Sequence, residues 1–253
     1  MLDMKIPDAV FLTPQPTMAN TFFQFKQFRV EQDRCGMKIS TDAVLLGALA
    51  EHHEPTSILD IGTGTGVIAL MLAQRFPHSK VEAVEIDESA ASQASANFQS
   101  SPWQSRISLH HMPFQDYVRV GPKFDLIVSN PPYFSDHLKA KDNKRNIALH
   151  TDALAFDALA KGVAALLTDH GKFWVILPPR QFADFERIGA EIGLFPHRIF
   201  QVKDRPGKDI IRIIATFSLY KEAIIESNIL LKDINGEYSA QYSTLLKKFL
   251  IIF

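Results

Sequence analysis

The stretch Ser57-Ile-Leu-Asp60-Ile-Gly62-Thr-Gly64-Thr-Gly66 joins a short apolar run to a loop with glycine at every second position. A helical pattern over Val67–Phe76 begins directly behind it. Glycine lacks a Cβ, so such a loop can turn sharply and bring its backbone close to a ligand. Outward from this point the chain keeps the same rhythm. Apolar runs at Lys80–Glu85, Ile107–His110, Phe124–Ser129 and Lys172–Leu177 alternate with helical patterns at Glu88–Gln99, Ala153–Leu167 and Gln181–Gly193. That alternation predicts an α/β fold of the Rossmann-like kind, a mostly parallel sheet with helices on both faces. His197–Val202 and Ile210–Leu219, joined at Pro206-Gly207, predict a closing antiparallel pair, giving a seven-stranded sheet whose last strand is antiparallel.

Two segments flank this body. Thr21–Val30 alternates aromatic and polar residues and reads as a strand of an N-terminal hairpin closing near Cys35-Gly36. Ser40-Thr41-Asp42 offers N-cap chemistry for a helix running to about Glu51. From Lys221 onward a strand and a helix (Ser239–Leu250) are expected to pack on the body. The expected division is therefore 1–54 as a hairpin and helix covering the ligand site, 55–220 as the core, and 221–253 as an appendage.

The spacing of the glycines selects among ligands. Glu85 closes the second strand about 20 residues after the loop, where a carboxylate can accept both hydroxyls of a ribose. A dinucleotide fingerprint needs a further glycine three residues after its second, and here that position is Val67. The loop instead holds an acid, Asp60, which would repel a pyrophosphate and attract an α-amino group. S-adenosylmethionine carries an α-amino group and no phosphate, so Asp60, Gly62, Gly64, Gly66 and Glu85 suit it better than NAD. Asp60 has a competing reading as a cap of its own turn, and Asp87 competes with Glu85 for the ribose.

Asn130-Pro131-Pro132-Tyr133 follows the fourth strand, on the sheet edge where the glycine loop also falls. The lone pair of an exocyclic amine is delocalised, and the nitrogen must rehybridise before it can attack a methyl group. Two acceptors aimed at its hydrogens favour that change: the Asn130 side-chain carbonyl and the Pro131 backbone carbonyl. Pro131 and Pro132 stiffen the turn, and Tyr133 offers a ring face to a flat substrate. The tetrapeptide reads as an amino-group methylation site.

Composition bounds the remainder. A formal net charge of −1 removes bulk positive charge as an argument for nucleic-acid binding, so any polyanion site must come from local clusters. Lys139, Lys141, Lys144 and Arg145 form one such cluster just after Tyr133, and Arg198, Lys203, Arg205 and Lys208 form a second. A single cysteine, Cys35, excludes an internal disulfide and a multi-cysteine metal centre, and no metal is expected. The start lacks the pattern of a signal peptide and no run is long enough to span a membrane, so a cytoplasmic monomer is expected.

At the glycine loop and Asn130–Tyr133 the chain resembles a class I S-adenosylmethionine-dependent methyltransferase. Its wider pattern resembles the bacterial tRNA1(Val) adenine-N6 methyltransferase family. The likeness includes Phe25-Lys-Gln-Phe28, Asp33-Arg34-Cys35-Gly-Met-Lys38, Thr41-Asp42, Ser101-Pro102-Trp103 and Gly236-Glu-Tyr-Ser-Ala-Gln-Tyr242. It implies N6 methylation of adenine 37 in a valine tRNA. It further implies that Gly62, Gly64 and Gly66 line the methionine part of the donor, that Glu85 holds the ribose, and that Thr41 belongs to a segment covering the donor. Asn130 and Pro131 would accept from the amine while Tyr133 stacks on the base. One departure is Pro113, which stands where the family favours an Asp on the donor's adenine; Asp116 or a backbone carbonyl could substitute. His150 is read as structural, because amine methylation needs no strong base. Other readings stay open: a protein glutamine amide or guanine N2 of rRNA as acceptor, an NAD-dependent oxidoreductase, and a non-catalytic RNA-binding module.

Overall fold

The computed structural model describes residues 21–132 and 156–253. Tyr133, Lys139, Lys141, Lys144, Arg145 and His150 lie outside these residues. The strands are β1 (Phe22–Gln24), β2 (Arg29–Glu31), β3 (Ser57–Ile61), β4 (Lys80–Glu85), β5 (Ile107–His111), β6 (Phe124–Ser129), β7 (Leu167–Leu177), β8 (Phe195–Lys203), β9 (Ile210–Ser218) and β10 (Ile225–Leu230). The helices are α1 (Thr41–Leu49), α2 (Val67–Arg75), α3 (Glu88–Gln99), α4 (Phe114–Tyr117), α5 (residues 156–166), α6 (Pro179–Glu191) and α7 (Ala240–Leu246).

One sheet runs in the order β10-β8-β9-β7-β6-β3-β4-β5. From β5 through β7 all neighbours are parallel, whereas β9 is antiparallel to both β7 and β8. These are the seven strands expected, with the antiparallel strand last. β10 adds an eighth, parallel to β8 at the sheet's end. Its sequence, Ile-Glu-Ser-Asn-Ile-Leu, is polar for a strand because an edge strand leaves much of its surface in water.

Successive side chains on a strand point to opposite faces, so a sheet covered on both sides needs apolar residues at every position. β7 meets that demand: Trp174 and Ile176 join the core packed by α1 and α2, while Phe173, Val175 and Leu177 join the core packed by α5 and α6. α1 and α2 pack closely at Gly47, where a Cβ would lie 2.8 Å from the Met71 sulfur. The Arg75 guanidinium, ending α2, donates to the carbonyls of Gly47 and Ala50 at the close of α1. A cation thereby satisfies carbonyls that a helix end leaves without partners.

The N-terminal hairpin differs from expectation. Thr21–Val30 is not one strand, because the turn lies inside it: Phe25 N–H donates to Phe28 O at 2.9 Å. Phe25 and Phe28 are both buried and stack at 4.4 Å across a turn whose tip is Lys26-Gln27, and their three-residue spacing shifts the apolar alternation by one residue. Cys35-Gly36 has a different place, described below.

Candidate active site

Three strand ends bring the site together. Ile61 is paired with Val84 of β4 on one side and Ser129 of β6 on the other. The next residues, Gly62, Glu85 and Asn130, therefore stand side by side at the carboxyl edge of the sheet. Ser129 Oγ donates to the Ile61 carbonyl at 3.0 Å, locking the strand that carries Asn130-Pro131 against the start of the glycine loop. Gly62 and Thr63 N–H groups both donate to Val84 O, at 2.9 and 3.1 Å, which bends the loop over β4.

All three loop glycines have left-handed backbone, with φ of 69°, 55° and 83° at Gly62, Gly64 and Gly66. Their surroundings differ. A Cβ on Gly62 would meet nothing within 4 Å, and one on Gly64 only the Cys35 sulfur at 3.9 Å. These two line open space. A Cβ on Gly66 would lie 2.4 Å from the Phe98 ring, so this glycine lets the loop seat on α3.

Gly66 opens α2 without a side chain to cap it, and Asp60 supplies the missing acceptor from the strand. Its Oδ2 accepts from Thr63 Oγ1 at 2.6 Å and from Ala69 N–H at 3.1 Å. The turn-capping reading of Asp60 is thus correct for one oxygen. The other, Oδ1, is buried and has no hydrogen-bond partner. Burial pushes this carboxyl up to about 7; the bonds from Thr63 and Ala69 oppose the shift and the nearby Glu85 charge adds to it. A buried acceptor without a donor, beside open glycines, fits a ligand that brings a cation.

Glu85 is held by backbone on three sides. Oε2 accepts from Gly64 N–H, and Oε1 from the N–H groups of Ile86 and Asp87, all at 2.9 Å. A carboxylate offers about four acceptor positions, so capacity remains. Asp87, its competitor, is occupied as the N-cap of α3 through Ala90 N–H at 2.8 Å. Between them Ile86 is 67% exposed, an apolar side chain at the mouth of the site that sequence reading passed over. Its signal was an isoleucine between two acids directly after the second strand. Ser40, not Thr41, caps α1, accepting from Ala43 N–H at 3.2 Å; Thr41 is exposed at the first helical position. Asp42 pairs with Arg212 at 2.7 Å, which ties the start of α1 to the carboxyl edge of the sheet. After β5, Pro113 presents no carboxylate, and Asp116 pairs with Arg119 at the surface.

The second cationic cluster divides. β8 runs toward the carboxyl edge, so Lys203 ends it there and Arg205 and Lys208 follow in the turn to β9. Arg198 instead sits near the start of β8, paired with Glu51. It lines a cleft of about 660 Å³ with Trp174, His197 and Thr216 at the opposite edge from the glycine loop. Among the described residues no group of three or more His, Cys, Asp or Glu could hold a metal ion. No helix among them is long and apolar enough to cross a membrane.

The model of the family described as methyltransferase small domain matches residues 39–183. The tRNA1(Val) (adenine(37)-N6)-methyltransferase of Bacteroides thetaiotaomicron is 44% identical over 92% of this chain and 98% of its own length. The protein of that name from Yersinia pestis is 39% identical over 94% of this chain and 97% of its own. Among solved structures, a predicted O-methyltransferase from Agrobacterium tumefaciens superposes with a TM-score of 0.66 at 19% identity, covering 82% of this chain and 96% of that one. TrmN from Thermus thermophilus gives 0.53 at 21% identity, covering 70% and 47%. The two structural likenesses concern the fold alone. Matched nearly end to end by these curated relatives, the chain belongs to the tRNA1(Val) (adenine(37)-N6)-methyltransferase family.

Proposed function

We propose that this chain methylates the exocyclic N6 amine of adenine 37 in tRNA1(Val), with S-adenosylmethionine as methyl donor. The observation carrying this reading is the Ile61–Ser129 pair, which sets Asn130-Pro131 beside the glycine loop at one sheet edge. When bound, S-adenosylmethionine supplies a methyl group made electrophilic by its sulfonium. Asp60 Oδ1 is the acceptor for its α-ammonium, Gly62 and Gly64 give its methionine part close backbone approach, and Gly66 fixes the loop. Glu85 takes the ribose through its remaining lone-pair capacity, and Ile86 offers an apolar surface to the adenine. Thr41, exposed at the start of α1, belongs to the segment that covers the donor.

On the acceptor side, the Asn130 side-chain carbonyl and the Pro131 carbonyl accept the amine's hydrogens and draw its lone pair toward the methyl group. Pro132 keeps that backbone stiff, so little reorganisation is needed at the moment of reaction. Tyr133 stacks on the base once it has left its neighbours in the anticodon arm. Lys139, Lys141, Lys144 and Arg145 contact phosphates, a role that fixes register without reading sequence. Lys203, Arg205 and Lys208, at the carboxyl edge of the sheet, offer further phosphate contacts.

Purified protein, labelled donor, and RNA and protein from a strain lacking the gene test this reading. Nucleoside mass spectrometry should find N6-methyladenosine at position 37 of tRNA1(Val). Label confined to guanine or to protein glutamine would overturn it.

A further inference from the structure

We infer that Asn97, which lies outside the reacting groups, is a positioning residue for donor binding; this rests on the donor site proposed above. Asn97 sits on α3 at 2% exposure and uses every hydrogen-bonding group of its amide. Its Oδ1 accepts from Glu31 N–H at 2.9 Å, and its Nδ2 donates to Glu31 O at 2.9 Å and to Thr65 O at 2.8 Å. The first two bonds grip the end of β2 from both sides of one residue. The third reaches the glycine loop between Gly64 and Gly66. One side chain therefore holds the N-terminal extension and the donor loop in a single register.

A turn earlier on the same helix face, Gln93 Oε1 accepts from Arg34 N–H at 3.0 Å, and Gln93 is also 2% exposed. Gln32 closes the stretch by accepting from Ile39 N–H at 2.9 Å. Residues 33–38 are thereby suspended over the loop. Cys35 marks where they arrive: its sulfur is 3.9 Å from the position of a Cβ on Gly64. The same thiol is raised in pKa chiefly by burial; the Met37 backbone lowers it, and the Glu85 and Asp87 carboxylates add to the rise. The covering segment and the ribose acid are thus close enough to feel one another. Neither Asn97 nor Gln93 needs to touch the donor. Each acts by keeping the cover down and the loop in place.

The bonds at stake are buried, and loss of one or two of them corresponds to about a tenfold or larger change in affinity. Calorimetry with S-adenosylhomocysteine should show Asn97→Ala and Gln93→Leu binding about tenfold or more weakly, with maximal rate on tRNA at saturating donor within about twofold of wild type. Gln93→Glu, which keeps an acceptor for the Arg34 N–H, should bind more tightly than Gln93→Leu. Alkylation of Cys35, the single cysteine, should be slow in wild type and slowed further by S-adenosylhomocysteine; in Gln93→Leu it should be about tenfold faster. Should Asn97→Ala fail to fold, Gln93→Leu and Gln93→Glu decide the matter. Wild type that binds S-adenosylhomocysteine while Gln93→Leu binds it equally, with unchanged Cys35 alkylation, overturns this inference alone. Wild type with no affinity for S-adenosylhomocysteine overturns the donor site itself, and this inference with it.

Discussion

Replacing Asp60 with asparagine should make the protein more stable at alkaline pH and poorer at binding its donor. The carboxyl is fully buried, and its pKa is raised from the usual 3.8 to about 7, first by burial. That difference corresponds to about 4 kcal/mol of preference for the neutral form. The sign follows from linkage. Below about pH 3.8 both folded and unfolded chains keep this proton, and the full stability is present. Between about 3.8 and 7 the unfolded chain loses the proton while the folded chain retains it, so stability falls by about 1.4 kcal/mol per pH unit from this group. Above 7 the loss is complete. Asparagine removes that slope. It still accepts from Thr63 and Ala69, but its NH₂ takes the place of Oδ1, where no partner waits, at a cost of about 1–3 kcal/mol. The net expectation is a gain of about 1–3 kcal/mol at pH 8 that shrinks to about zero near pH 5. The same exchange removes the anion proposed to meet the donor's ammonium, a charged hydrogen bond of about 1.5–3 kcal/mol, or about a ten- to hundredfold weaker complex. Urea unfolding at both pH values and calorimetry with S-adenosylhomocysteine measure the two effects. A variant less stable than wild type at pH 8 with undiminished donor affinity would refute the reasoning.

Three further substitutions follow from the packing. Gly66→Ala places a Cβ at φ 83° and 2.4 Å from Phe98, so thermal unfolding should show a loss of about 2–5 kcal/mol together with weaker donor binding. Thr216→Val should raise stability by about 1 kcal/mol in chemical denaturation, because the Thr216 hydroxyl is buried without a partner. Arg75→Met should cost about 2–4 kcal/mol, since it leaves the carbonyls of Gly47 and Ala50 without their donor; urea titration checks it.

How far the sequence carried depended on whether a contact was local. That the glycine loop, Glu85 and Asn130-Pro131 share one edge was legible because strand, loop and helix signals are adjacent in the chain and the ends of parallel strands lie side by side. The turn at Phe25–Phe28 was passed over although the spacing marks it: Phe23 and Phe25 keep a strand's alternation, and Phe28 and Val30 resume it one residue out of phase. The strand expected after Lys221 is β10, but its place as an eighth strand of the sheet was not legible, because edge strands tolerate polar residues. Arg198 looked like a neighbour of Lys203 and Arg205, yet a nine-residue strand separates the two edges of a sheet. Asn97 and Gln93 carry no sequence signal at all: amides on a helix read as surface until the segment they hold is seen. Asp60 was legible as an acid in the loop, whereas its division into one capping oxygen and one free oxygen needed coordinates.

Asn130-Pro131 is proposed to activate the amine while the neighbouring loop binds the donor independently. Single-turnover methylation of unmodified tRNA1(Val) by Asn130→Ala, at saturating donor, tests it most directly. The rate should fall by about 10²–10³ with donor affinity within about twofold of wild type. An unchanged rate would contradict it.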